Sequence, residues 1–160
     1  MNKTDFYLEE MIPVLTEVIA SGGEFLLYPK GTSMLPLLVQ GRDAVVLTSL
    51  PKDGPSRHDI VLYRRDDGHY VLHRIVACDD NGMLTMCGDN QSVWETGIRP
   101  EQCIAVVSRI QRKNRELPIT SKRYRAYVSM HTKKLPRKTY FFFRAVKWKV
   151  KSLVSKSETC

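Results

Sequence analysis

The stretch His69-Tyr70-Val71-Leu72-His73-Arg74-Ile75-Val76-Ala77-Cys78 reads as one long strand between two turns. Asp66-Asp67-Gly68 precedes it and Asp79-Asp80-Asn81-Gly82 follows it. Asp-Gly and Asn-Gly are favoured hairpin dipeptides because their residues accept the positive φ of tight turns. Within the run, Tyr70, Leu72, Arg74 and Val76 alternate with Val71, His73, Ile75 and Ala77. A period of two places these sets on opposite faces of a sheet.

The same period extends outward through Phe25–Tyr28, Ala44–Leu47, Ile60–Tyr63, Met83–Met86 and Ile104–Ile110. Turn clusters separate these runs, including Pro51-Lys52-Asp53-Gly54-Pro55. The pattern predicts a mainly β domain over 24–112, a compact antiparallel sheet or partial barrel. Ahead of it, residues 1–23 carry a short amphipathic helix over Asp5–Ala20, with Phe6, Met11, Leu15, Val18 and Ile19 at near-helical spacing. Asp5 or Thr4 can cap its start, Ser21-Gly22-Gly23 stops it, and Pro13 is expected to break or kink its middle. Residues 113–160 form a basic tail that begins without pattern and ends in an amphipathic basic helix over 139–154.

Charge divides the chain unevenly. Residues 109–160 hold 16 of the 25 Lys and Arg but only Glu116 and Glu158 of the 17 acids, a balance of +14 within a net +8. Residues 1–108 are therefore an acidic body at −6. Clustered Lys and Arg attract phosphates, but Tyr140–Phe143 and Trp148 do not interleave with them as a base-stacking platform requires, which disfavours nucleic acid as partner. A basic amphipathic helix better suits an anionic membrane surface, with Phe141, Phe142, Trp148, Lys147 and Lys151 in contact. A solvated tail whose aromatics pack on the domain is the plainer alternative.

Cys78, Cys87, Cys103 and Cys160 show neither a CxxC pair nor zinc-like spacing with the histidines, so no metal and no cofactor is expected. The N-terminus carries no secretory signal, and no apolar run is long enough to span a bilayer. The expectation is a reduced cytoplasmic protein, peripheral at the inner face of the membrane.

The residues able to do chemistry lie in three places. Ser33 sits in Gly31-Thr32-Ser33-Met34-Leu35-Pro36-Leu37-Leu38, a loop where glycine and proline forbid regular structure. A serine there commonly makes only a turn. A hydroxyl nucleophile needs a base, and His73, held in mid-strand among aliphatic neighbours, has the right chemistry. His58 and His69 lie beside turns, and His131 is isolated in the tail. Asp89, in Gly88-Asp89-Asn90, and Glu95, beyond Trp94, are the two acids able to orient His73; the sequence does not choose between them.

Gly-x-Ser-Met-x-Pro-x-Leu, then Asp59-Ile60-Val61 leading to Leu72-His73-Arg74, then Gly88-Asp89-Asn90, resembles the type I signal peptidase and LexA-like superfamily of serine peptidases. The motifs occur in that family's order over residues 24–110. The resemblance implies Ser33 as nucleophile. His73 stands where bacterial signal peptidases and LexA-type repressors have lysine, as in the endoplasmic-reticulum, archaeal and sporulation-type branch with its Ser-His-Asp arrangement. In that branch a further acid follows Gly-Asp, and the nearest match is Glu95. Signal peptidases carry a membrane anchor, and LexA-type repressors an N-terminal DNA-binding domain; this sequence offers only the Asp5–Ala20 helix. Ala20-Ser21-Gly22-Gly23 resembles the small-residue sites the superfamily cuts, but it lies too near Ser33 to reach the site in cis.

The expected function is peptide-bond cleavage through an acyl-enzyme. The Ser33 N–H and the Thr32 hydroxyl or N–H would serve the oxyanion. Met34, Leu35 and Leu37 would line an apolar groove for an extended peptide. A peptide- or protein-binding module of the same fold, without turnover, is the alternative.

Overall fold

The computed structural model describes residues 3–113, 115–117, 119 and 121–132, with side chains from residue 8 onward. The helix expected over 139–154, with its candidate membrane-contact residues Phe141, Phe142, Lys147, Trp148 and Lys151, lies outside the described residues. Eight strands form one antiparallel sheet: β1 (Phe25–Leu27), β2 (Asp43–Thr48), β3 (Ile60–Arg64), β4 (Tyr70–Cys78), β5 (Leu84–Cys87), β6 (Glu95–Ile98), β7 (Cys103–Arg112) and β8 (Arg115–Leu117). Two helices flank them, α1 (Lys3–Ala20) and α2 (Lys122–Thr132).

The strand order is β1-β2-β7-β3-β4-β5-β6, with β8 paired to β7. The sheet is open, so the partial-barrel expectation resolves to a sheet whose edges are β1 and β6. The two glycine turns do what their sequence implies. Asp66-Asp67-Gly68 joins β3 to β4, with Gly68 N–H donating to Arg65 O at 2.9 Å. Asp79–Gly82 joins β4 to β5, with Asp79 N–H donating to Met83 O at 3.0 Å. The Pro51–Pro55 turn differs, because β7 inserts between β2 and β3.

Both sheet faces are covered around the centre. One core gathers Leu15 and Ile19 of α1, Val45 and Leu47 of β2, Ile60 and Leu62 of β3, and Ala105 and Val107 of β7. The opposite core gathers Val61 and Tyr63 of β3 with Ile75, Leu84 and Met86. Ile60–Tyr63 is therefore buried on both sides, and such a strand loses polar alternation.

α1 is one continuous helix through Pro13, so the break expected there does not occur. Proline removes one donor, but Leu8, Ile12, Leu15 and Ile19 still form a stripe against the first core. α1 ends on a pair of hydrogen bonds: Gly23 N–H donates to Val18 O at 2.9 Å and Gly22 N–H donates to Ile19 O at 3.1 Å. Gly22 takes φ +80°, which this termination requires. α2 was not expected in what reads as an unpatterned tail. Ser121 Oγ accepts from Tyr124 N–H at 3.1 Å to cap it, and Tyr124 and Tyr127 pack onto the first core.

Candidate active site

The sheet register determines which side chains can meet. Val61 faces His73 and Tyr63 faces Val71 across β3 and β4, so His73 and Tyr63 are diagonal neighbours on the second face. Met86 pairs with Ile75 on one side and with Glu95 on the other. Glu95 thereby arrives on the face that carries His73. Its Oε1 lies 3.4 Å from His73 Nδ1. Tyr63 OH donates to Glu95 Oε2 at 2.8 Å and stands 3.4 Å from His73 Nδ1. Arg65 Nε donates to Glu95 Oε2 at 2.8 Å, and Arg65 Nη2 bonds Glu95 Oε1.

Burial pushes the Glu95 carboxyl up, but bonds from His73, Arg65 and Tyr63 outweigh it and hold Glu95 well below the usual carboxylate range. Burial, reinforced by the Glu95 carboxylate, raises the Tyr63 phenol, which stays a donor. In the tautomer protonated on Nδ1, the His73 ring donates to Glu95 and keeps Nε2 as its basic nitrogen.

The other ring nitrogen points to the serine loop. A Cβ added to Gly88 would stand 3.0 Å from His73 Nε2 and 2.6 Å from the Ser33 carbonyl oxygen. Only glycine lets the turn, the ring and the serine backbone converge there. Asn90 holds the loop from its other side: its N–H donates to Ser33 O at 2.7 Å and its Nδ2 to Thr32 O at 2.9 Å. A trans peptide is planar, so fixing the Thr32 carbonyl turns the Ser33 N–H to the opposite side. That N–H belongs to the donor set expected for an oxyanion.

Asp89, between those two residues, sits elsewhere. Its carboxylate takes Arg74 Nε at 2.8 Å and Nη2 at 2.7 Å, with both side chains fully buried. Tyr127 OH donates to Asp89 Oδ2 at 2.9 Å. Burial opposes ionisation of Asp89, but the Arg74 guanidinium overrides it and keeps the carboxyl below its ordinary value. Of the two candidate acids, Glu95 contacts His73, while Asp89 anchors the turn to β4.

Ser33 is half-buried and lines a groove of about 460 Å³. Met11, Leu26, Tyr28, Tyr70 and Leu72 line it, together with Met34. The groove expectation needs correcting: Leu37 is 8% exposed and belongs to the first core, and Leu35 does not line the groove. Met34, 5% exposed, serves core and groove wall together. Sequence reading missed Tyr63, Arg65 and Asn90. Only Asn90 carried a signal, as the third residue of Gly-Asp-Asn.

No family model, curated protein or solved structure matches the chain. Among the described residues, no cluster of His, Cys, Asp or Glu suits a metal ion, and no helix is long and apolar enough to cross a membrane.

Proposed function

We propose that this protein is a serine endopeptidase, similar to the histidine-base branch of the signal peptidase and LexA-like superfamily. The observation that carries the reading is the convergence at Gly88 of His73 Nε2 and the Ser33 backbone, with Glu95 on His73 Nδ1. His73 takes the Ser33 proton as the oxygen attacks a peptide carbonyl. The imidazolium returns the proton to the leaving amine, and water then hydrolyses the ester by the same route. Glu95 holds the ring and stabilises its cationic form.

The groove beside Ser33 suits an extended apolar peptide. β1 is an edge strand next to it, so substrate backbone has a ladder to join while its side chains enter the groove. Leu26 and Tyr28, 40% and 66% exposed, give that edge an apolar surface. The same groove would serve a binding module without turnover. The test is incubation with a mixture of extended apolar peptides, with products read by mass spectrometry. Cleavage by the wild type and none by folded Ser33→Ala supports the peptidase. Tight binding by both proteins without cleavage supports the binding module.

A further inference from the structure

We propose that Tyr127 is a positioning residue through which α2 holds the 88–90 turn against the Ser33 loop. α2 thereby sets the geometry of the serine loop. The consequence for chemistry rests on the peptidase reading; the mechanical link does not.

The link is a continuous set of short contacts. Tyr127 OH donates to Asp89 Oδ2 at 2.9 Å, the oxygen that also takes Arg74 Nη2 at 2.7 Å. Arg74 Nη1 donates to Tyr124 OH at 3.2 Å and to His58 O at 2.9 Å. α2 thus supplies a hydroxyl to each member of a fully buried ion pair. Removing two charges from water is costly, and such a pair holds its geometry only when its remaining donors and acceptors are satisfied. Asp89 stands between Gly88, packed on Ser33 O and His73 Nε2, and Asn90, which bonds the carbonyls of Thr32 and Ser33. A displacement of Asp89 therefore reaches the serine within one residue on either side.

α2 has the rigidity this role requires. Val128, His131 and Thr132 are buried, and the Tyr127 ring stacks on His131 with centroids 4.1 Å apart. Tyr124, Tyr127, Val128 and His131 recur at helical spacing, so one face of α2 carries both hydroxyls and the packing.

Amide hydrogen exchange on the whole chain, wild type against Tyr127→Phe, tests the link. The reporters are the Asn90 amide, bonded to Ser33 O, and the Leu38 amide, bonded to Met34 O. The expected result is exchange at Asn90 faster by about tenfold, the scale of one lost bond to a charged group, with β3 and β7 amides unchanged. Unchanged exchange at Asn90 overturns the proposal. Equal acceleration throughout the sheet also overturns it, because that reports only lost global stability. Tyr124→Phe, which removes the hydroxyl on the Arg74 side, is expected to act in the same direction and serves if Tyr127→Phe does not fold.

Labelling by a serine-reactive phosphonate reads the functional consequence in the same proteins. The maximal labelling rate is expected to fall in Tyr127→Phe with half-saturation unchanged, a split that simple destabilisation does not produce. An unlabelled wild type would count against the peptidase reading alone, since exchange at Asn90 still decides the link.

Discussion

At the scale of single residues, Gly88-Asp89-Asn90 divides its labour. Gly88 supplies closeness, Asp89 an anchor in Arg74, and Asn90 a grip on two carbonyls of the serine loop. Gly88→Ala would bring a methyl within 2.6 Å of the Ser33 carbonyl oxygen. It is expected to abolish phosphonate labelling and to cost about 1–3 kcal/mol in urea unfolding. The two acids separate by effect. Asp89→Asn removes the counter-ion of a buried guanidinium and is expected to cost about 3–5 kcal/mol in the same measurement. Glu95→Gln leaves the core intact and is expected to slow labelling by about 10²–10⁴-fold with a smaller loss of stability. Equal stability losses would contradict this division. Ser33 and His73 were legible as candidates from their motifs, and the structure brings their segments together at Gly88. The choice of acid was not, because it depends on β4, β5 and β6 lying side by side, and pairing across two strands leaves no local signal.

At the scale of elements, β-strand character was readable where one face is buried or where glycine turns bound the run. β4 has both, and its turns to β3 and β5 form as expected. β6 was missed: Glu95-Thr96-Gly97-Ile98 is short, has one buried residue, and carries a glycine at φ +76°. α2 was missed because Lys122, Arg123 and Arg125 dominate its sequence. Its signal was there in Ser121 followed by Tyr124, Tyr127, Val128 and His131. In α1, Met11 was expected on the packed face but is 37% exposed and lines the groove instead. The core stripe is Leu8-Ile12-Leu15-Ile19, which keeps the expected Leu15 and Ile19 and takes Ile12, one residue round the helix, in place of Met11. Leu15 is fully buried, so Leu15→Ala is expected to cost about 2–5 kcal/mol of thermal or chemical stability. A loss below 1 kcal/mol would show α1 to be loosely attached.

At the scale of the molecule, one open sheet covered on both faces carries a candidate site assembled from the Ser33 loop and strands β4 and β6. That order, with β7 between β2 and β3, joins segments distant in sequence and was not readable from local pattern. Three buried or half-buried carboxylates are ionised within it. Burial pushes Asp43 up, but Arg42, Arg112 and the Val39 N–H hold it down to about 2, while Glu95 and Asp89 are also held low. Each carboxyl binds its proton more readily in the unfolded chain, near pH ~4. Their stabilisation is therefore complete above that pH and lost as pH falls towards the folded values. Chemical denaturation should show stability flat near neutrality and falling steeply from about pH 4 to pH 2; a flat profile through that window would contradict these pairings. The proposed peptidase requires Ser33 to be an activated nucleophile. Intact-mass analysis of wild type and His73→Ala after incubation with a broad serine-reactive phosphonate decides this. The expected result is a single adduct on the wild type, mapping to Ser33, and none on the folded variant. A folded wild type that takes no adduct, or equal labelling of both proteins, would contradict it.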